Sequence, residues 1–171
     1  MKNTGIVRRI DELGRVVIPK ELRRTMRIKE GEEMEVYVAP DDTLVLKKYS
    51  VLRDYAEVAQ EYAEILGRHV RGACFVCDGD VVVASADKKL IGKRITMALE
   101  RVLERRKTVR LSGKESFCPT EGGEIPREIT VSPVIVAGDV LGGVVLCGPS
   151  VGETGQTLGE VTAGYLEKRF E

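Results

Sequence analysis

The chain has no tryptophan, one histidine and three phenylalanines, and its 27 basic residues are matched by 27 acidic ones. Any core must therefore be assembled mainly from Val, Ile, Leu and Ala. Hydrophobic residues make up 43% of the chain, enough for such a core, which excludes wholesale disorder. No apolar run approaches the roughly 20 residues needed to cross a bilayer, and no signal peptide is expected, so no membrane partner is expected either. The four cysteines (Cys74, Cys77, Cys118, Cys147) all lie in the second half, and in a chain read as cytoplasmic they stay reduced. Cys74-x-x-Cys77 has the spacing of half a metal site, but no second pair completes it. It sits in an apolar run that reads as a strand, where residues three apart point to opposite faces. The cysteines are read as buried structural thiols, with no metal and no cofactor expected. His69 has no evident Cys or Asp partner, and G-x-S-x-G, Walker A and G-x-G-x-x-G motifs are missing, so no enzyme is expected.

The zero net charge conceals a gradient. Residues 1–29 hold nine Lys/Arg against three acids, a local +6, whereas residues 30–50 hold two against six, a local −4. Such asymmetry in a neutral chain is the footprint of a localised electrostatic partner. The basic stretch is rich in arginine rather than lysine. The planar guanidinium grips phosphate with two hydrogen bonds, or guanine O6 and N7 in the major groove, where lysine would suffice for bulk charge alone. A solvated basic face balanced by Glu21, Glu30, Glu32 and Glu33 is the plainer alternative.

Residues 4–10 read as a strand, Glu12-Leu13-Gly14-Arg15 as a turn and Val16-Val17-Ile18 as a second strand. Pro19 then suits the start of a helix from Lys20 to about Met26, which would carry Arg23, Arg24 and Arg27, with 23 and 27 on one face. Residues 34–38 and 43–48 read as a hairpin around Pro40-Asp41-Asp42. A β-β-α-β-β module of about fifty residues buries too little surface for comfortable stability, so dimerisation is the expected remedy.

A helix is expected over 51–66. Val51, Tyr55, Val58, Tyr62 and Ile65 form one line, and Leu52, Ala59 and Leu66 a second line seven apart. That wide stripe suits either its own domain's sheet or association between subunits. Beyond it, strands are expected at 72–77, 80–85, 108–111, 129–136 and 140–147, and helices at about 95–106 and 155–169. Residues 112–127 read as a polar loop or lid. Gly142-Gly143 reads as a packing site or bulge within a strand. The second half is thus an α+β domain with a mainly antiparallel sheet.

The segment TGIVRRIDELGRVVIPKELRRTMRIKEGEEMEVYV, followed by DTLVLKKY, resembles the AbrB-type swapped-hairpin DNA-binding domain over residues 2–49. GIVR, LGRVVIPKELRR and LKKY are the most specific pieces. The resemblance implies an all-β-dominated dimeric barrel of interleaved hairpins with a short helix. It also implies contact with double-stranded DNA through Arg8, Arg15, Arg23 and Arg24, with Arg9, Lys2, Lys20 and Arg27 as secondary phosphate contacts. In full arrangement the chain resembles activator/repressor regulators of sporulation genes in the forespore, tetramers that join this domain to a C-terminal GAF domain. The expected division is a DNA-binding domain at 1–50, a linker helix at 51–66 and a GAF-like domain at 67–171. GAF domains commonly hold a small molecule between the sheet and the following loop and helix. Phe75, Ile91, Ile95, Phe117 and Val131 are the corresponding walls here, with plain core filling as the alternative and the ligand unnamed. A competing function is an antitoxin-like DNA-binding interaction protein, which a folded domain in place of a disordered tail counts against.

Overall fold

The computed structural model describes residues 4–170. It divides after Tyr49 into two compact units. In the first, strands β1 (Met34–Val38) and β2 (Leu44–Lys48) form an antiparallel hairpin pairing Met34 with Lys48 and Val38 with Leu44. Asp42, at a φ of 58°, makes the turn, and the Asp42 N–H donates to the Ala39 carbonyl. Alternation places Met34, Val36, Val38, Leu44 and Leu46 on one face. Helix α1 (Lys20–Thr25) follows Pro19, which serves as the residue preceding its first turn.

The strands expected at 4–10 and 16–18 do not form in this chain, and among the described residues the unit is not a closed barrel. A strand exists only where a neighbour completes its hydrogen-bond ladder. At the tip of this arm the Asp11 N–H donates to the Arg15 carbonyl, but no ladder runs along 4–10 and 16–18. The consequence is a unit almost without an interior: among its described residues only Pro19 is buried.

The second unit is the reverse. Strands β3 (Ala73–Asp78), β4 (Val82–Ser85), β5 (Val109–Ser112), β6 (Glu128–Val136) and β7 (Asp139–Gly148) form one antiparallel sheet in the order β4-β3-β7-β6-β5. Side-chain alternation creates a core on each face. On one face Cys74, Val76, Val144 and Leu146 meet helices α2 (Val51–Asp54), α3 (Ala56–His69) and α5 (Gly152–Phe170). On the other, Phe75, Cys77, Val145 and Cys147 meet Leu99, Val102 and Leu103 of α4 (Met97–Leu103).

The helix expected over 51–66 is two helices, the second ending at His69. The break at Tyr55 follows from how the first turn is held. Leu52 is fully buried, and Arg53 Nε is 2.7 Å from the buried carboxylate of Asp78. The line Leu52, Ala59, Leu66 faces the sheet. The line containing Tyr55 and Tyr62 turns toward α5, where Tyr62 meets Tyr165 with ring centroids 4.5 Å apart and Tyr55 meets Phe170 at 5.0 Å. One stripe thus serves the sheet and the other a neighbouring helix. Gly142-Gly143 is a packing site as expected: a Cβ on Gly142 would collide with the Cys77 carbonyl oxygen, and one on Gly143 with Leu103.

Candidate functional site

The basic residues of the first unit sit on three local structures. The arm turns at Asp11–Arg15. Asp11 Oδ1 accepts from the Leu13 and Arg15 N–H groups at 3.0 and 2.8 Å, and Oδ2 accepts from Arg15 Nε at 2.8 Å. Gly14, at a φ of +76°, allows the reversal. The bonds from the Arg15 backbone and then its side chain hold the Asp11 carboxyl below its ordinary range. Asp11 is therefore the residue that presents Arg15 at the tip. Sequence reading did not single it out, although an aspartate opening a glycine turn was a usable signal. Arg8 and Arg9 are exposed on the arm. Lys2 lies outside the described residues.

Helix α1 presents Lys20, Arg23 and Arg24, all exposed. Arg27 does not join them. The helix stops at Met26, and Arg27 lies beyond it in the left-handed region at a φ of 53°. The Ile28 N–H donates to the Arg23 carbonyl and the Arg27 N–H to the Arg24 carbonyl, a Schellman closure of the helix end. The Arg27 carbonyl then accepts from Lys48 Nζ at 2.7 Å, and Lys48 also pairs with Glu32 at 3.1 Å. Arg23 and Arg27 therefore share no helical face, and the backbone of Arg27 belongs to the scaffold. Beside these residues an apolar groove of about 260 Å³ opens among Ile6, Val16, Ile18, Leu22, Met34 and Leu46, with Arg8 also in its lining.

In the second unit a cavity of about 440 Å³ lies between the sheet and the segment 119–127. Of the five expected wall residues only Phe75 lines it. Ile95 and Val131 are fully packed in the core, Phe117 packs against that core, and Ile91 is exposed. The walls that sequence reading missed, Pro119, Ile125 and Pro126, come from the polar loop, whose composition gave no apolar signal. Cys74, Cys77 and Cys147 are buried as expected, with Cys74 and Cys77 on opposite faces of the sheet, whereas Cys118, in the loop, is only half-buried. Burial pushes the Cys74 thiol up to about 12 and the Cys147 thiol up to about 11, so both stay protonated and unreactive near neutrality. His69 is exposed at the end of α3.

A family profile described as "Stage V sporulation protein T C-terminal, transcription factor" matches residues 54–171. The chain is also 41% identical to stage V sporulation protein T of Bacillus subtilis (strain 168), over all of this chain and 99% of that one. The chain belongs to the stage V sporulation protein T family. Members of that family are transcription factors by description, and the match extends through both units. The first unit has relatives of its own. Over 49 residues, 29% of this chain and 50% of the relative, it is 63% identical to the transition state regulatory protein AbrB of Bacillus subtilis (strain 168). The solution structure of the N-domain of the transcription factor AbrB is 62% identical. That match covers 29% of this chain and 94% of that one, at a TM-score of 0.27. A second profile, "Antidote-toxin recognition MazE, bacterial antitoxin", matches residues 7–54. Among the described residues of this family member no His, Cys, Asp and Glu side chains are grouped to hold a metal ion, and no helix is long and apolar enough to cross a membrane.

Proposed function

We propose that the chain is a sporulation transcription factor that binds double-stranded DNA as a dimer or tetramer in the forespore cytoplasm, as activator or repressor. Arg8, Arg15, Arg23 and Arg24 contact the DNA, and Arg9, Lys2 and Lys20 contact phosphates. Arg27 has at most a phosphate contact, since its backbone closes α1. The observation that carries this reading is the first unit itself. It exposes arginines on a turn tip and a short helix, yet buries almost nothing of its own. A module of that kind becomes stable when a second copy covers its arm, its groove and the apolar hairpin face, which also duplicates the arginines. Residues 1–50 then form the DNA-binding domain, 51–66 a helical linker packed on the second unit's own sheet and last helix, and 67–171 a GAF-like effector domain. The cavity in the second unit and its antiparallel sheet with helices on both faces support that last assignment.

Phosphate contacts position the protein, and arginine contacts to base edges select sequence. Affinity should fall with salt at a log–log slope of about −0.9 per phosphate contacted. In a gel-shift titration on operator DNA, Arg23→Ala and Arg24→Ala should each cost about 1–3 kcal/mol while leaving the oligomer intact. Unchanged binding by both variants would overturn the site assignment. The MazE match favours one second reading, an antitoxin-like protein that also holds a toxin. Co-purification of a small toxin with the native protein would establish it.

A further inference from the structure

The cavity of the second unit has an uncharged interior and a charged mouth. Its walls are Ala73, Phe75, Leu90, Pro119, Ile125 and Cys147, the last with a thiol that burial keeps protonated. Glu124 and Arg127 also line it, and both are exposed. They flank Ile125-Pro126, so one negative and one positive side chain stand beside an apolar pocket. Arg127 also faces the carboxylate of Glu128, but that carboxylate accepts the Val151 and Gly152 N–H groups at 2.8 and 3.1 Å. A guanidinium has five N–H donors, enough for a further anion.

The charge pattern discriminates among ligand classes. A nucleotide, cyclic or not, brings only negative charge on phosphate, which Arg127 would attract and the neighbouring Glu124 oppose. A wholly apolar molecule would leave both charges unused. A molecule with an apolar body and a zwitterionic head pairs with both. At about 440 Å³ the cavity lies low in the range of roughly 300–1,000 Å³ typical of small-molecule sites, ample for one amino acid.

We propose that this cavity binds a free apolar α-amino acid, with its side chain against Phe75, its carboxylate on Arg127 and its ammonium on Glu124. The assignment rests on reading the second unit as an effector-binding domain and names the effector's class.

Isothermal titration of the full chain tests it, with L-leucine, L-isoleucine and L-phenylalanine as probes. The controls are 4-methylpentanoate, which lacks the amine, and 3-methylbutylamine, which lacks the carboxylate. At least one amino acid binds at sub-millimolar concentration, and each control binds tenfold or more weakly, about the worth of a hydrogen bond to a charged group. Arg127→Gln weakens the amino acid and the carboxylate control but not the amine, and Glu124→Gln does the reverse. Both positions are exposed, so neither variant disturbs folding. Rim variants that bind like the parent, or amino acids that do not bind at millimolar concentration, would overturn the proposal. In the latter case a thermal-shift screen of other metabolites is repeated on Ala73→Leu, which fills the cavity. Hits lost in Ala73→Leu would keep the effector domain and discard the amino acid. No hits would discard both.

Discussion

The two units spend their hydrophobic residues in opposite ways. The second packs both faces of its sheet and fully buries Phe75, Leu99, Leu146 and Leu166. The first leaves Val36 63% and Leu44 66% exposed, although its expected strands are also mostly apolar. Apolar side chains left in water in one unit and sequestered in the other point to different completing partners. The second unit is completed by its own chain, and the first, on the function proposed above, by a second copy. A chain of neutral overall charge thus holds a self-sufficient unit and an incomplete one whose basic residues are concentrated in its first 29 positions.

The sharpest way to break that comparison is to damage the self-sufficient half. Leu146 is fully buried against the α3 and α5 side of the sheet. Leu146→Ala should cost the second unit about 2–5 kcal/mol, the usual range for a leucine truncated in a packed core. The loss should appear as a lower urea midpoint by circular dichroism that is the same at all protein concentrations. A midpoint that moved with concentration would mean that this unit too is completed by another chain.

The first unit should respond differently. In a lone chain Leu44→Asp changes an exposed side chain and should move stability by no more than about 0.5 kcal/mol. If a second copy covers the hairpin face, the same change places a charge in an apolar contact and weakens self-association by about 2–3 kcal/mol. Sedimentation equilibrium should show the assembly dissociating at concentrations where the parent stays together, with the second unit's urea midpoint unchanged. An unaltered assembly would show that Leu44 faces water in the working protein.

The same contrast explains what could be read from sequence. The strands of the second unit lie within about two residues of expectation because their partners are in the chain and the turns after β3 and β6, at Gly79-Asp80 and Ala137-Gly138, contain glycine. Residues 4–18 have the composition of strands, but composition cannot supply a ladder partner. Helix α5 misled in another way. Its large apolar residues are not all on the buried side: Val161 is 66% exposed and Tyr165 packs on Tyr62 of α3, while Gly155, Gly159, Thr162, Ala163 and Leu166 are buried. A Cβ on Gly159 would lie 2.8 Å from Ser132 Oγ, so close approach selected small residues that carry little hydrophobic signal. The basic cluster was legible from charge, and the resemblance singled out Arg8, Arg15, Arg23 and Arg24 within it. The Asp11 turn and the left-handed stop at Arg27 were not, since the latter lacks the glycine that usually marks such a cap.

The smallest expected effect concerns how the second unit secures α5 without outside help. Glu128 Oε2 accepts the Val151 and Gly152 N–H groups, two donors at the helix start that have no partner within the helix. Those bonds, the one from Val151 foremost, hold the Glu128 carboxyl below its ordinary value of 4.5. A depressed carboxyl favours the folded state when ionised, so its contribution is complete above the pH at which an unfolded glutamate titrates. That contribution fades as pH falls through the lower folded value. Glu128→Ala should therefore lower the urea midpoint of the second unit at neutral pH, and the gap from the parent should narrow as the solution is acidified below pH 4.5. A gap that stayed constant with pH would assign the loss to packing rather than to the carboxylate. A gap that also depended on protein concentration would tie α5 to another chain and erase the distinction between the units.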